Sequence, residues 1–144
     1  MELTRLAGRR VIFTRPRDTV QEACELMAKE AVSAIVVLEE GKLAGILSER
    51  DIVKRVVAAR RDPSSTVVAD VMTPRVQTVT EEVSAQRALE LMHEGAFRHL
   101  PLVNRAGTVI GMVSVRDLLR HRIEELDMKN TDLLNFISTD GPGG

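Results

Sequence analysis

Two short stretches carry the same side chains at the same spacing, GILSERD at 45–51 and GMVSVRD at 111–117. Each sets a serine three residues before an aspartate, Ser48 with Asp51 and Ser114 with Asp117, and an arginine, Arg50 or Arg116, just before the acid. At a helix start, Ser-x-x-acid forms a capping box: the hydroxyl accepts from an early helix N–H and the acid reaches back to the cap N–H. Asp is shorter than the usual Glu or Gln, which weakens the reciprocal half. The same atoms suit a second task. A helix N-terminus with free N–H groups and a serine hydroxyl fits phosphate, and a carboxylate can accept both hydroxyls of a ribose. Gly45 and Gly111 stand three residues before each serine, where a missing Cβ lets another group approach the backbone. A cation in the first turn opposes the helix dipole, and a bound anion would offset that cost. Capping alone and a nucleotide site are both compatible with these residues.

Other chemistry is not indicated. Neither G-x-G-x-x-G nor G-x-x-x-x-G-K-[ST] occurs. The histidines, His93, His99 and His121, show no metal-type spacing with Cys or carboxylates, so no metal is expected. No nucleophile pairs with a base in the pattern of a hydrolase, so the chain is not expected to be an enzyme. With 20 basic and 21 acidic residues the net charge is −1, and Trp and Tyr are missing. That composition argues against nucleic acid as partner. The longest strongly apolar run, AIVVL at 34–38, is far short of the ~20 residues that span a bilayer. The first ten residues, MELTRLAGRR, lack a secretory signal's apolar stretch, so a soluble, cytoplasmic protein is expected. Cys24, the single cysteine, reads as a small, half-buried core residue.

The elements that must position the two serine–aspartate pairs also come twice. Val11, Ala23, Leu26, Met27 and Ala31 recur 65 positions on as Val76, Ala88, Leu91, Met92 and Ala96. Gly41, Gly45, Ser48, Arg50 and Asp51 recur 66 positions on as Gly107, Gly111, Ser114, Arg116 and Asp117. The one-residue change falls between 38 and 41, in a hairpin loop that absorbs insertions cheaply. Each unit reads β-α-β-β-α. An extended piece precedes a cap at Thr19 or Ser84, then comes a helix with apolar residues at Val20, Ala23, Met27 or Ala85, Ala88, Met92. Two strands follow around a glycine turn, and a second helix opens at Ser48 or Ser114. Pro101 is expected near a strand end or edge. VVADVMTP at 67–74 reads as a short helix ahead of the second unit, and LTRLAGRR is expected to play the same part for the first. Neither unit buries much alone, so the two are expected to share a core.

The doubled G-h-h-S-x-R-D pattern, the β-α-β-β-α order and the FRHLPLV stretch at 97–103 resemble a tandem pair of cystathionine β-synthase (CBS) domains, a Bateman module, here in stand-alone form. The resemblance implies an α/β (α+β type) fold: repeats at 5–60 and 67–122 packed about a pseudo-twofold axis, with a C-terminal helix. It further implies a regulatory sensor that binds AMP, ADP, ATP, NAD(H) or S-adenosylmethionine in clefts between the repeats and signals to an effector protein by conformational change. A homodimer is the implied assembly. The alternative is a structural or interaction adaptor that binds no nucleotide. Carried over by position, Asp51 and Asp117 take the ribose, Ser48 and Ser114 phosphate or ribose, and Gly45, Ile46, Gly111 and Met112 the adenine slot. The segment at Phe97, Arg98 and His99, its counterpart at Ser33 and Ala34, and the first strand through Thr14 and Thr78 or their neighbours also line the clefts. Asp51 is expected to share one with Thr78, Arg98 and His99, and Asp117 the other with Thr14, Ser33 and Ala34. The first cleft, with Arg98 and His99, is expected to be the better phosphate site, and the second to lack charge on that wall. Beyond the repeats, Leu119, Leu126 and Leu133 alternate with Ile123, Asn130 and Ile137 as d and a positions. A helix over 123–137, suited to a short dimer coiled coil, and a disordered tail at 138–144 are the expectation.

Overall fold

The computed structural model describes residues 2–7 and 10–140, with side chains through residue 132. After a short helix α1 (Glu2–Leu6), repeat one runs β1 (Phe13–Thr14), α2 (Val20–Glu30), β2 (Ala34–Glu39), β3 (Lys42–Ser48) and α3 (Glu49–Ile52), whose last turns widen into a π-helical segment, Val53–Val57. A 3₁₀ turn at Val68–Asp70 leads to repeat two: β4 (Val79–Thr80), α4 (Ala85–Gly95), β5 (His99–Val103), β6 (Val109–Ser114) and α5 (Val115–Asp140). Each repeat builds one three-stranded sheet in chain order, the first pair parallel and the second antiparallel. Among the described residues no helix is long and apolar enough to cross a membrane.

Local chemistry accounts for the boundaries. Thr19 and Glu22 form a full capping box on α2, and Ser84 accepts from Arg87 N–H on α4. The first hairpin turns on Glu40 and Gly41, both with positive φ (50° and 78°), the backbone that a two-residue turn matched to strand twist requires. Its counterpart is longer, with Asn104 Oδ1 accepting from Ala106 N–H and Thr108 N–H. Pro101 lies inside the central strand β5, not at its end. It is tolerated because β4 pairs only Leu102 and Val103, so at Pro101 the sheet has no neighbour on that side.

The run AIVVL is apolar throughout because β2 is covered on both faces. Ile35, Val37 and Leu47 join Val20, Ala23 and Met27 of α2 in the core of repeat one; Leu100, Leu102 and Val113 join Ala88 and Met92 in that of repeat two. Val36 and Ile46 point the other way and meet Val109, Val103 and Met112, which seals the two sheets against each other. Cys24 is partly buried beside the first core. Burial, and then the charge of Glu25, push its thiol pKa up, which keeps it protonated and unreactive.

The segment ahead of each repeat crosses over to the other one. Val68 and Val71 lie in the core of repeat one, and Leu3 of α1 lies in that of repeat two. LTRLAGRR is thus the counterpart of VVADVMTP, but its described part through Ala7 serves the second repeat rather than the first. The two glycines of the repeated motif make the crossing possible. A Cβ on Gly45 would stand 2.6 Å from the Thr73 carbonyl oxygen, and one on Gly111 would stand 2.8 Å from Ala7 Cβ. Thr73 and Ile46 exchange both backbone hydrogen bonds at this contact, at 2.8 and 2.9 Å. Gly45→Ala is therefore expected to force the 72–73 segment off its strand and to cost about 1–3 kcal/mol, read by urea denaturation. A wild-type midpoint would contradict the contact.

Candidate functional site

The two aspartates occupy unlike surroundings. Asp51 is only 7 % exposed and both of its carboxylate oxygens are engaged within the protein. One oxygen accepts from the Ser48 N–H (3.0 Å) and hydroxyl (3.1 Å); the other accepts from the Thr73 hydroxyl at 2.9 Å, with Arg55 Nη1 3.9 Å away. Asp51 N–H donates in return to Ser48 Oγ at 3.2 Å. This is a complete capping box closed over by the crossing segment. Arg55 reinforces the closure by donating to the Val71 and Met72 carbonyls at 3.1 and 2.8 Å.

Asp117 is half-buried and far less engaged. Asp117 Oδ2 accepts the Ser114 hydroxyl at 2.8 Å, and Asp117 N–H donates to Ser114 Oγ at 3.1 Å. Among the described residues nothing hydrogen-bonds Oδ1. By the 65-residue offset the sequence counterpart of Thr73 is Gly8, a residue with no hydroxyl, which lies outside the described residues.

Asp117 borders a cavity of about 410 Å³, within the range of small-ligand sites. Ser33, Ala34, Gly111, Met112, Ser114 and Arg116 line it, and so do Arg10, Val11, Ile12, His99 and Arg120. Four expectations need correction. His99 belongs to this cleft rather than to that of Asp51, with Nε2 3.2 Å from Ser33 Oγ. Thr14 is buried and donates to Asp18 Oδ2 at 3.0 Å, and the cavity is lined instead by its neighbours Val11 and Ile12, just ahead of β1. The threonine on Asp51 is Thr73, not Thr78, whose carbonyl accepts from Gln77. The charge assignment also changes: Arg116 and Arg120, with Arg10 paired to Glu30, line the Asp117 cleft opposite the uncharged Ser33–Ala34 wall.

The remaining candidates sit as follows. Gly45 and Ile46 are covered by the Thr73 segment. Arg50 is exposed on the first turn of α3. Phe97 packs on the second core, while Arg98 is exposed and its carbonyl accepts Val115 N–H at 2.8 Å. Sequence reasoning missed Arg10 and Arg120. Arg120 carried a signal, since it falls three after Asp117 and four after Arg116, on the same side of one helix. Arg10 carried none, because only the crossing of the N-terminal segment brings it here, where it pairs with Glu30 at 2.6 Å.

Burial is the main cause that lowers the His99 pKa; Arg98 lowers it further, while Asp117 and Glu49 oppose. The folded imidazole thus binds its proton less readily than the unfolded one, whose pKa is about 6.5. Stability from this group is complete above that value and falls as the pH drops through it toward the folded pKa. His99→Gln is expected to flatten that part of the stability profile between pH 7 and 5. Melting curves across this range check it; a slope unchanged in the variant would contradict it.

The CBS domain family pattern matches this chain twice, over residues 4–58 and 68–124. The chain belongs to the CBS domain family. As a CBS pair it is a regulatory type of module. It is 39% identical over 113 residues to the mitochondrial CBS domain-containing protein CBSX3 of Arabidopsis thaliana, covering 75% of this chain and 54% of that protein. It is 41% identical over 99 residues to the meiotically up-regulated gene 70 protein of Schizosaccharomyces pombe, covering 69% of this chain but 14% of that protein. The CBS pair therefore spans about half of one of these relatives and a small part of the other. Among solved structures, the CBS domain protein PAE2072 of Pyrobaculum aerophilum, complexed with AMP, is similar with a TM-score of 0.77 and 27% identity, covering 88% of this chain and 97% of that one.

Proposed function

We propose that this CBS pair is a non-catalytic sensor that binds an adenosine phosphate, AMP foremost, in the Asp117 cleft. The observation that carries this reading is the Asp117 oxygen that no described residue hydrogen-bonds, on a cavity also lined by Arg10, Arg116 and Arg120. The carboxylate accepts the ribose hydroxyls, and guanidinium forks hold the phosphate. Gly111 and Met112, with Val36 and Ala34, offer the apolar slot for the base. The AMP complex of the Pyrobaculum relative supports the ligand class. In the Asp51 cleft the capping box and Thr73 engage both carboxylate oxygens, which supports the adaptor reading, a cap that binds nothing, for that half. One nucleotide per chain is the consequence. ADP, ATP, NAD(H) and S-adenosylmethionine share the adenosine part and are the ligands against which AMP is compared.

Binding ties repeat two, through Asp117, to repeat one, through Ser33 and Ala34, and so shifts their relative orientation, the change an effector protein would read. Homodimerisation is part of the proposal. Val53 and Val57 on one repeat, and Leu119, Ile123 and Leu126 on α5, are large apolar side chains left exposed. The heptad read from the sequence continues to Leu133 and Ile137, which lie outside the residues whose side chains are described. α5 is continuous from Val115 to Asp140, so the expected 123–137 helix extends the second repeat's own helix, and 138–140 are helical; residues 141–144 lie outside the described residues. A cytoplasmic setting, where the unpaired Cys24 stays reduced, completes the reading. Isothermal titration with the ligand panel tests the ligand claim; heat with none of them leaves the adaptor. Light scattering is expected to give a dimer for the wild type and a monomer for Val57→Glu with Leu119→Glu, and a wild-type monomer would contradict the assembly.

A further inference from the structure

We propose that Glu2, His121 and Glu125 form a binding site for a borderline divalent transition cation of the Zn²⁺ type, which clasps α1 onto α5. The three side chains come from the two ends of the chain. His121 and Glu125 stand one turn apart on one face of α5, and Glu2 reaches them from α1. His121 Nε2 lies 2.8 Å from Glu2 Oε1 and 3.3 Å from Glu125 Oε1. One donor atom from each residue falls within a common 4.8 Å. Bonds near 2.0 Å at tetrahedral angles set neighbouring ligand atoms roughly 3.3 Å apart, so small adjustments would admit an ion. The sequence reading saw no metal-type spacing among the histidines; the i,i+4 pair on α5 is one, and Glu2 is visible only once the chain crosses over.

Two further observations point the same way. A cavity of about 320 Å³ opens beside these residues, room for the ion and a water as fourth ligand. His121 also holds the position in repeat two that Arg55 holds in repeat one, 66 residues on. Arg55 staples the crossing segment by hydrogen bonds to Val71 and Met72. Its replacement by an imidazole, facing Glu2 of the equivalent segment with its side chain only 13 % exposed, turns the same staple into a nitrogen–oxygen–oxygen donor set. One nitrogen and two carboxylates suit Zn²⁺, whereas Mg²⁺ and Ca²⁺ favour oxygen alone. Arg122, 4.0 Å from Glu125, is loosely placed and can swing to solvent. The site lies on a different face of α5 from exposed Leu119, Ile123 and Leu126, so it does not depend on the dimer. Nor does it depend on nucleotide binding.

The test titrates Zn²⁺ into the full chain after chelator treatment, by calorimetry, with Mg²⁺ as comparison and Co²⁺ as spectroscopic probe. The expected result is one Zn²⁺ per chain, no response to Mg²⁺ at the same concentrations, and visible ligand-field bands with Co²⁺. His121→Gln and Glu125→Gln are each expected to weaken Zn²⁺ at least ~10-fold, the lower end of what losing even an outer partner of a metal site costs. Glu125 is a half-exposed helix residue, so its variant keeps the test valid should His121→Gln fold poorly. A wild type that takes up no Zn²⁺, or variants that keep its affinity, would overturn the proposal and leave an ion-pair cluster.

Discussion

Replacing Asp51 by alanine is expected to lower the stability of the chain by about 3 kcal/mol, the sum of a lost helix cap and a lost hydrogen bond to a charged acceptor. The melting temperature should fall by roughly 3–4 °C for each of those kcal/mol in a chain of this size. AMP affinity should stay near that of the wild type. The reasoning is geometric. Asp51 is almost fully buried, holds the Ser48 N–H and hydroxyl, and anchors Thr73, so its removal frees both the first turn of α3 and the segment that crosses onto β3. A small stability loss coupled to a large loss of AMP binding would reverse the roles assigned to the two aspartates.

Asp117→Asn should do the opposite. Its carboxylate is half-exposed and holds one hydroxyl, Ser114, so the folded state should lose little. The ribose, however, would lose an ionised acceptor. Hydrogen bonds to charged groups contribute about 1.5–3 kcal/mol, which converts to roughly 10- to 150-fold in affinity. AMP at a hundred times its dissociation constant stabilises the wild type by about 2.7 kcal/mol. With affinity down a hundredfold, the same concentration should give the variant only about 0.4 kcal/mol. Thermal shift with and without AMP reads the difference. An undiminished shift in the variant would rule out Asp117 as the ribose ligand.

What the sequence revealed, and what it hid, follow from the range over which each feature is determined. The repeat, the strand and helix order and the caps at Thr19, Ser48, Ser84 and Ser114 rest on neighbours within a few residues, and these are legible. The family likeness rests on the same local motifs. Which cleft holds which residues does not. His99 stands beside Ser33, 66 residues away, because the sheets pack face to face through Val36, Ile46 and Val109. The cations on the Asp117 cleft are likewise gathered from far apart, Arg10 from ahead of β1 and Arg116 and Arg120 from α5. The sequence treats Asp51 and Asp117 as equals. Asp51 is held by Thr73, a partner that gains meaning only once the crossing segment is known to lie over Gly45.

The central claim is that one cleft, marked by Asp117, holds the ribose while the other is closed by the protein's own hydroxyl. A crystal structure of the chain grown with AMP addresses it most directly. The account expects a single nucleotide between the repeats, with its ribose hydroxyls within ~3 Å of the Asp117 carboxylate and its phosphate among Arg10, Arg116 and Arg120. AMP seated instead on Asp51, with the Thr73 hydroxyl displaced, would contradict it.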